Sequence, residues 1–393
     1  MHNREFKKSD LWKNYFFSKT TFMKILHTIT FLTGGAGRVL VDLAKFQKES
    51  GQDVSVIANK TEFEGYCHYG EYLNILNECN IEIILVDSVF KRDERLNSLA
   101  VKSLELLFVS REQPDVIHAH SAIPAMVVMN SFSGHEKGLS NPSCIMTMHG
   151  WGLAKTKDME RQDVSIMNRS DKVVTLNRSG RDSLISKGVE NQLLQIIPNG
   201  IARNPPSVVP SKRKKTDVLR LLCIGDLGER KNQQLLAKAV EQLNQRGLRC
   251  LATFVGKEGD NGYFRNKILA HASSDSVEWL GYHEDAQVLI PDYDAVVLPS
   301  RSEGLPIVIL ESFRAGVPFV GSNIPEISDV IEHGVNGYLF DNQNVESMIA
   351  TLKELISHDT EPVVACARED FESRFTLEKM NESYFQLYQE LKS

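Results

Sequence analysis

Two carboxylates eight residues apart, Glu303 and Glu311, lie in the stretch Ala295-Val-Val-Leu-Pro-Ser-Arg-Ser-Glu-Gly-Leu-Pro-Ile-Val-Ile-Leu-Glu-Ser-Phe-Arg-Ala-Gly316. A carboxylate only accepts hydrogen bonds, so it holds paired hydroxyls well and repels phosphate. The apolar run from Ala295 to Leu298 predicts a buried parallel strand. Pro306 stands where a helix takes its first residue, and Gly316 where that helix stops. A new strand begins at Pro318 and runs to Gly321. The N–H groups of Gly304 and Leu305 then point out of the carboxyl end of the first strand. There α/β sheets bind ligands and helix N-termini bind phosphate. A ligand carrying both phosphate and hydroxyls fits this arrangement, as a nucleotide sugar does.

Other residues able to do chemistry stand at other expected strand ends. Gly34-Gly-Ala-Gly37 follows the strand Lys24–Thr30 and opens a helix expected from Arg38 to about Ser50. Glycine there lets backbone approach a diphosphate closely, although the full dinucleotide spacing is missing. His118 and His120 face one side of a strand that begins at Asp115. No carboxylate or thiolate stands at ligand spacing, so no metal is expected. A second strand-end loop, Thr147-Met-His-Gly-Trp151, carries His149. Asp292-Tyr-Asp294 is formally a metal-binding triplet of Asp-x-Asp form. Its place just before the strand at Ala295 makes a structural cap the expected role.

Strands expected at 53–58, 81–86, 115–118, 144–148 and 172–176 alternate with helical lengths, as do those at 219–224, 250–256, 277–282, 295–298, 318–321 and 337–341. Such alternation predicts an α/β chain with doubly wound parallel sheets. At 393 residues two domains are expected. Arg203-Asn-Pro-Pro-Ser-Val-Val-Pro-Ser-Lys-Arg-Lys-Lys215 reads as the connection between them. The expected boundaries are an N-terminal extension at 1–22, a first domain at 23–205, a linker at 206–217, a second domain at 218–372 and a final amphipathic helix at 373–393. The extension mixes Arg4, Lys7, Lys8, Lys13 and Lys19 with aromatic residues and has no small-residue cleavage site. Either it lies on anionic lipid, or Met23 is the natural start, the reading preferred here. A net charge of −6 gives no drive towards nucleic acid. Six cysteines without metal-ligand spacing are expected to be buried free thiols of a reducing cytoplasm. No apolar run approaches the roughly 20 residues of a membrane span.

The order strand, Ser-Glu-Gly-Leu-Pro, apolar helix, Glu, Gly-x-Pro, strand resembles the signature of retaining glycosyltransferases of the GT-B fold, family 4. That resemblance spans nearly everything from Met23 onward. It implies two Rossmann-like domains facing a cleft, with acceptor in the first and nucleotide sugar in the second. The implied catalytic residues are His120, Lys231 and Glu303. Implied donor contacts are Gly34, Gly35, Arg230, Tyr282, Gly304, Leu305 and Glu311, with Glu303 on the sugar and Glu311 on the ribose. The implied reaction moves a sugar, from a UDP-sugar by preference, onto a saccharide or lipid-linked saccharide in bacterial surface polysaccharide assembly. Metal and cofactor are not expected, the location is cytoplasmic, and peripheral contact with the inner membrane is left open. The chain departs from the family in Gly225-Asp-Leu-Gly-Glu-Arg-Lys-Asn232, where Asp226 replaces an arginine and Asn232 a glycine. An aspartate facing a diphosphate would weaken binding; Arg230 is the expected compensation. Two rival readings are a nucleotide-sugar 2-epimerase and a catalytically silent partner subunit.

Overall fold

The computed structural model describes residues 21–62, 67–87, 92–133, 141–151, 155–204, 217–258 and 262–392. Nearly all of the N-terminal extension, and the linker with its basic cluster, lie outside them. The described chain divides into two compact units. The first comprises residues up to Leu176, Arg181–Ile197 and Met380–Ser393; the second comprises Asn177–Gly180 and Pro198–Lys379.

The first unit carries strands β1 (Lys24–Thr28), β2 (Asp53–Asn59), β3 (Glu82–Val86), β4 (Val116–Ala119), β5 (Ser143–Met148), β6 (Lys172–Thr175) and β7 (Leu194–Ile196). They form one sheet in the order β3-β2-β1-β4-β5-β6-β7. All its pairings are parallel, and β1 with β4 places His27 beside His118. Strand β7 is shorter than the apolar runs by which a strand is recognised in sequence. Helices α1 (Gly34–Glu49), α2 (Gly70–Glu78), α3 (Glu94–Val109), α4 (Ala122–Phe132), α5 (Lys157–Met167) and α6 (Arg178–Ser186) connect the strands. Helix α1 starts at Gly34, so the glycines form its first turn and not a loop ahead of it. One face of the sheet packs Val54 and Val56 against Leu40, Ala44 and Leu76. The other packs Leu26, Ile117 and Met146 against Leu104, Val128 and Phe132. Apolar cover on both faces is what makes these parallel strands continuous apolar runs.

The second unit repeats the scheme with β8 (Leu219–Ile224), β9 (Cys250–Val255), β10 (Val277–Trp279), β11 (Ala295–Leu298), β12 (Phe319–Ser322) and β13 (Tyr338–Phe340), in the order β10-β9-β8-β11-β12-β13. Its helices are α7 (Gln233–Gln245), α8 (Ile307–Ala315), α9 (Pro325–Ser328), α10 (Val345–Ser357) and α11 (Glu361–Arg374). Gly316 ends α8 in the left-handed region at φ 68°, donating its N–H back to Phe313 and Ser312. A last helix, α12 (Leu377–Lys392), buries Tyr384, Phe385, Leu387 and Tyr388.

Cys144, Cys223 and Cys250 are buried, and burial pushes each thiol up to about 12. Cys67 and Cys79 are only partly buried and Cys366 is exposed, so the expectation of buried thiols holds for half the set.

Candidate active site

Each sheet reverses its strand order once, between β1 and β4 in the first unit and between β8 and β11 in the second. The crevice at the carboxyl ends of the strands flanking such a reversal is where open α/β sheets bind ligands. Polar side chains gather at both places.

In the second unit the β11–α8 loop brings Glu303 to Lys231 and Arg230 on the loop after β8. Lys231 Nζ donates to Glu303 Oε1 at 2.7 Å, and Arg230 Nη1 donates to Oε2 at 3.0 Å. Glu303 has only 7% of its side chain exposed. Burial pushes its carboxyl up, but Lys231 and Arg230 outweigh that and hold it below the ordinary range. Beside it, Asn177 Nδ2 donates to the carbonyl of Gly304 at 2.9 Å and Asn199 Nδ2 to that of Leu305 at 3.1 Å. These amides grip the loop by its carbonyls. Among the described residues nothing accepts from the N–H groups of Gly304 or Leu305. Two positive side chains and two unspent N–H groups therefore flank one carboxylate at the start of α8. Such a set can bind an anion and hydroxyls together. Glu311 lies on α8, partly buried. Tyr282 is half exposed, its ring 4.6 Å beneath Lys257 Nζ.

Asp226 has hydrogen-bond partners within its own unit. Its Oδ1 accepts the backbone N–H of Lys257 at 3.0 Å, and its carbonyl accepts from Gln233. It ties the end of β8 to the end of β9. Arg230 donates to Glu303 and to the Ser302 carbonyl, so its charge stands beside Glu303 and Lys231. Asn232 adopts φ 55°, the left-handed region that glycine enters freely and asparagine tolerates. That backbone requirement explains how Asn232 can stand where the family has glycine. Asp294 turns to the N–H of Arg220 at 2.8 Å, as a structural cap does.

In the first unit His120 sits just beyond β4 and is 4% exposed. Its two ring nitrogens meet His27 at 3.2 Å and His149 at 2.8 Å. His27 in turn meets Gln47 at 2.8 Å. His118 is flanked by the Tyr388 hydroxyl at 2.7 Å and the Thr147 hydroxyl at 2.8 Å. Burial lowers His27 and His149 to about 4, and His118 and His120 well below their ordinary value. All four rings are therefore neutral near pH 7. Nitrogens of His27, His118 and His120 lie within 4.8 Å of one another, a spacing that could hold a metal. Both nitrogens of His118 already serve hydroxyl groups, however, which supports a hydrogen-bonded network. Gly34 and Gly35 open α1 in the same unit, with the Gly34 carbonyl accepting from the Tyr72 hydroxyl at 3.2 Å.

Sequence reasoning passed over His27 and Gln47. The signal for Gln47 is a glutamine at the apolar spacing set by Leu40, Leu43 and Ala44 on α1; all four are buried.

Comparison with known proteins decides what this arrangement belongs to. The Glycosyltransferase Family 4 model matches residues 33–204 and the Glycosyl transferases group 1 model residues 208–370. The chain is a group 1 glycosyltransferase of family 4. This glycosyltransferase is 25% identical over 331 residues to an uncharacterized glycosyltransferase of Haemophilus influenzae, covering 83% of this chain and 87% of that one. It is 24% identical over 277 residues to the Escherichia coli UDP-Gal:alpha-D-GlcNAc-diphosphoundecaprenol alpha-1,3-galactosyltransferase, covering 64% of this chain and 69% of that one. Its fold matches Anabaena HepE, solved with UDP and glucose, at a TM-score of 0.77 and 20% identity, over 94% of this chain and 100% of that one. The fold is GT-B. Among the described residues no helix is long and apolar enough to cross a membrane.

Proposed function

We propose that this glycosyltransferase moves a sugar from a UDP-sugar to a saccharide or lipid-linked saccharide, with retained anomeric configuration, in bacterial surface polysaccharide assembly. The observation that carries the donor half is the cluster of Glu303, Lys231, Arg230 and the unspent N–H groups of Gly304 and Leu305. Lys231 and the N–H groups would meet the charge that develops on a departing diphosphate, and fixed donors cost no reorganisation as the bond breaks. Glu303 and Glu311 would accept from hydroxyls of the sugar and the ribose. The base and the acceptor class follow the relatives. One is named for UDP-galactose and a diphosphoundecaprenol-linked sugar, and others for amylovoran and colanic acid biosynthesis. Retention is the expectation for the family, the leaving diphosphate taking the acceptor's proton. The bond of Asp226 to Lys257 gives that residue a structural task compatible with catalysis, which weighs against a silent partner subunit.

A panel of UDP-, GDP- and ADP-sugars, read by nucleotide release, tests the reading. Turnover confined to GDP- or ADP-sugars overturns the base assignment, and no release with any acceptor overturns the donor half. Glu311→Ala is expected to weaken UDP binding about ten- to a hundredfold by calorimetry, the worth of about 1.5–3 kcal/mol for a charge-assisted bond. Equal affinity for variant and parent would remove Glu311 from the ribose. Activity is expected to persist in excess EDTA, since Lys231 and the α8 N-terminus can meet the phosphate charge. Loss in EDTA with full return on adding Mn²⁺ would transfer that role to a metal and reopen Asp292 and Asp294.

A further inference from the structure

Arg301 lies two positions before Glu303 on the β11–α8 loop and reaches back to the loop after β8 at three places. Its backbone N–H donates to the Arg230 carbonyl at 2.8 Å. Its Nη2 donates to Asn232 Oδ1 at 3.3 Å, and its Nη1 stands 3.5 Å from Glu229 Oε2. The other oxygen of Glu229 faces Lys267 Nζ at 3.5 Å, which holds that carboxylate from its far side. Arg230 returns the contact by donating to the Ser302 carbonyl at 2.9 Å. The guanidinium of Arg301 thus grips Glu229 and Asn232, the two residues that flank Arg230 and Lys231 in the chain. Only a planar fork can meet two acceptors in this way.

Two local costs fall on this pair. Asn232 holds φ 55°, a backbone region that glycine enters without penalty. Arg301 Nε is buried and has no acceptor among the described residues. An arginine turned out to solvent would escape that cost. Departures from local preference that meet at one junction are expected where a site is held in place. Asn232 also gives what glycine lacks, a side-chain oxygen for Arg301, and it is buried away from competing water. We propose that Arg301 and Asn232 are positioning residues, a clasp that holds Arg230 and Lys231 on Glu303 before any ligand arrives. Arg301 touches neither oxygen of Glu303, which are taken by Lys231 and Arg230, so it acts through those two side chains. Placing the clasp in the donor site rests on the proposed function; its hold on Glu303 does not.

The test is carbon-13 NMR of the full chain labelled at glutamate carboxyl carbons and titrated with acid; Glu303→Gln assigns the Glu303 signal. Lys231 and Arg230 hold that carboxyl below its ordinary value against burial, and Glu326 on α9 is an acid that faces it. Asn232→Gly removes the clasp's oxygen, suits the same φ and changes no charge. Its Glu303 midpoint is expected to rise towards the ordinary range as both cations lose their hold. Arg301→Lys keeps the charge and loses the fork, and is expected to move the midpoint the same way. With both substitutions the rise should match that of the larger single variant, because they cut one bond. An unmoved midpoint in folded Asn232→Gly, or fully additive rises in the double variant, overturns the proposal. Should Asn232→Gly fail to fold, Arg301→Lys decides alone, a rise supporting the clasp and an unmoved midpoint overturning it. UDP serves as the ligand probe. Asn232→Gly is expected to weaken its binding about two- to tenfold by calorimetry, the worth of one hydrogen bond. Equal affinity, with UDP bound by both chains, overturns the clasp's part in the donor site. UDP bound by neither chain fails the donor reading instead, and the Glu303 midpoints, read without nucleotide, still decide the clasp.

Discussion

Lys231→Met is expected to damage stability and turnover together. Lys231 and Glu303 are 15% and 7% exposed in their side chains, and their charged atoms stand 2.7 Å apart. Removing one partner of a buried pair leaves an uncompensated charge and costs about 3–5 kcal/mol; the remaining Arg230 contact places this case near the lower end. Turnover should fall by about 10²–10³, the usual effect of losing one preorganised donor to a developing negative charge. The double variant Lys231→Met with Glu303→Gln separates the two losses. Neutralising the stranded carboxylate should recover most of the stability in urea unfolding and none of the turnover. If the single variant keeps parental stability, the pair contributes nothing to the fold; if the double variant regains turnover, Lys231 is not part of the chemistry. The pH dependence has a definite sign. Glu303 is held below its ordinary value in the folded chain, so its contribution is present above the unfolded carboxylate pKa and lost as pH falls through the lower folded one. Without Lys231 the folded value rises, and acid unfolding should begin at higher pH.

The elements were legible where one residue type repeats. β11 and α8 follow from the apolar run at Ala295–Leu298, Pro306 and Gly316, and the structure starts α8 one residue later, at Ile307, with Pro306 as its cap. Glu303 beside Lys231 was less legible, because their separation of 72 positions is bridged only once β8 and β11 pair. The contact of Asp226 was not legible for a physical reason. Spacing alone shows a carboxylate near a phosphate turn, whereas only the end of β9 brings the Lys257 N–H that occupies it. There the chain must come very close to itself. Gly256 at φ 151° passes so near that an added Cβ would lie 2.3 Å from the Gly225 carbonyl oxygen. The histidine network was the least legible. His27 and His118 become neighbours through strand register, and Tyr388 arrives from the far end of the chain.

That dependence on the far end sets the second large expectation. Deleting residues 380–393 should unfold the first unit while sparing the second. The segment is assigned to the first unit and contributes Tyr384, Phe385, Leu387 and Tyr388, each 2% exposed or less. Burying side chains of this size is worth about 1.5–3 kcal/mol apiece, so the four together rival the roughly 5–15 kcal/mol of a whole domain. Polar losses add to this. His118 loses the Tyr388 hydroxyl, Thr147 loses that of Tyr384 at 2.8 Å, and Asp115 loses its 2.8 Å pair with Lys392. A buried group stripped of its partner costs about 1–3 kcal/mol, and His118 and Thr147 are both fully buried. Hydrogen exchange read by peptide should show amides of β1, β4 and β5 losing protection in the truncated chain while those of β8 and β11 keep it. Tyr388→Phe serves as the mild counterpart. It keeps the ring and removes one hydroxyl, so it should retain protection in β4 and lose only about 1–3 kcal/mol. Parental protection of β4 in the truncated chain would show that the first sheet stands without its last helix.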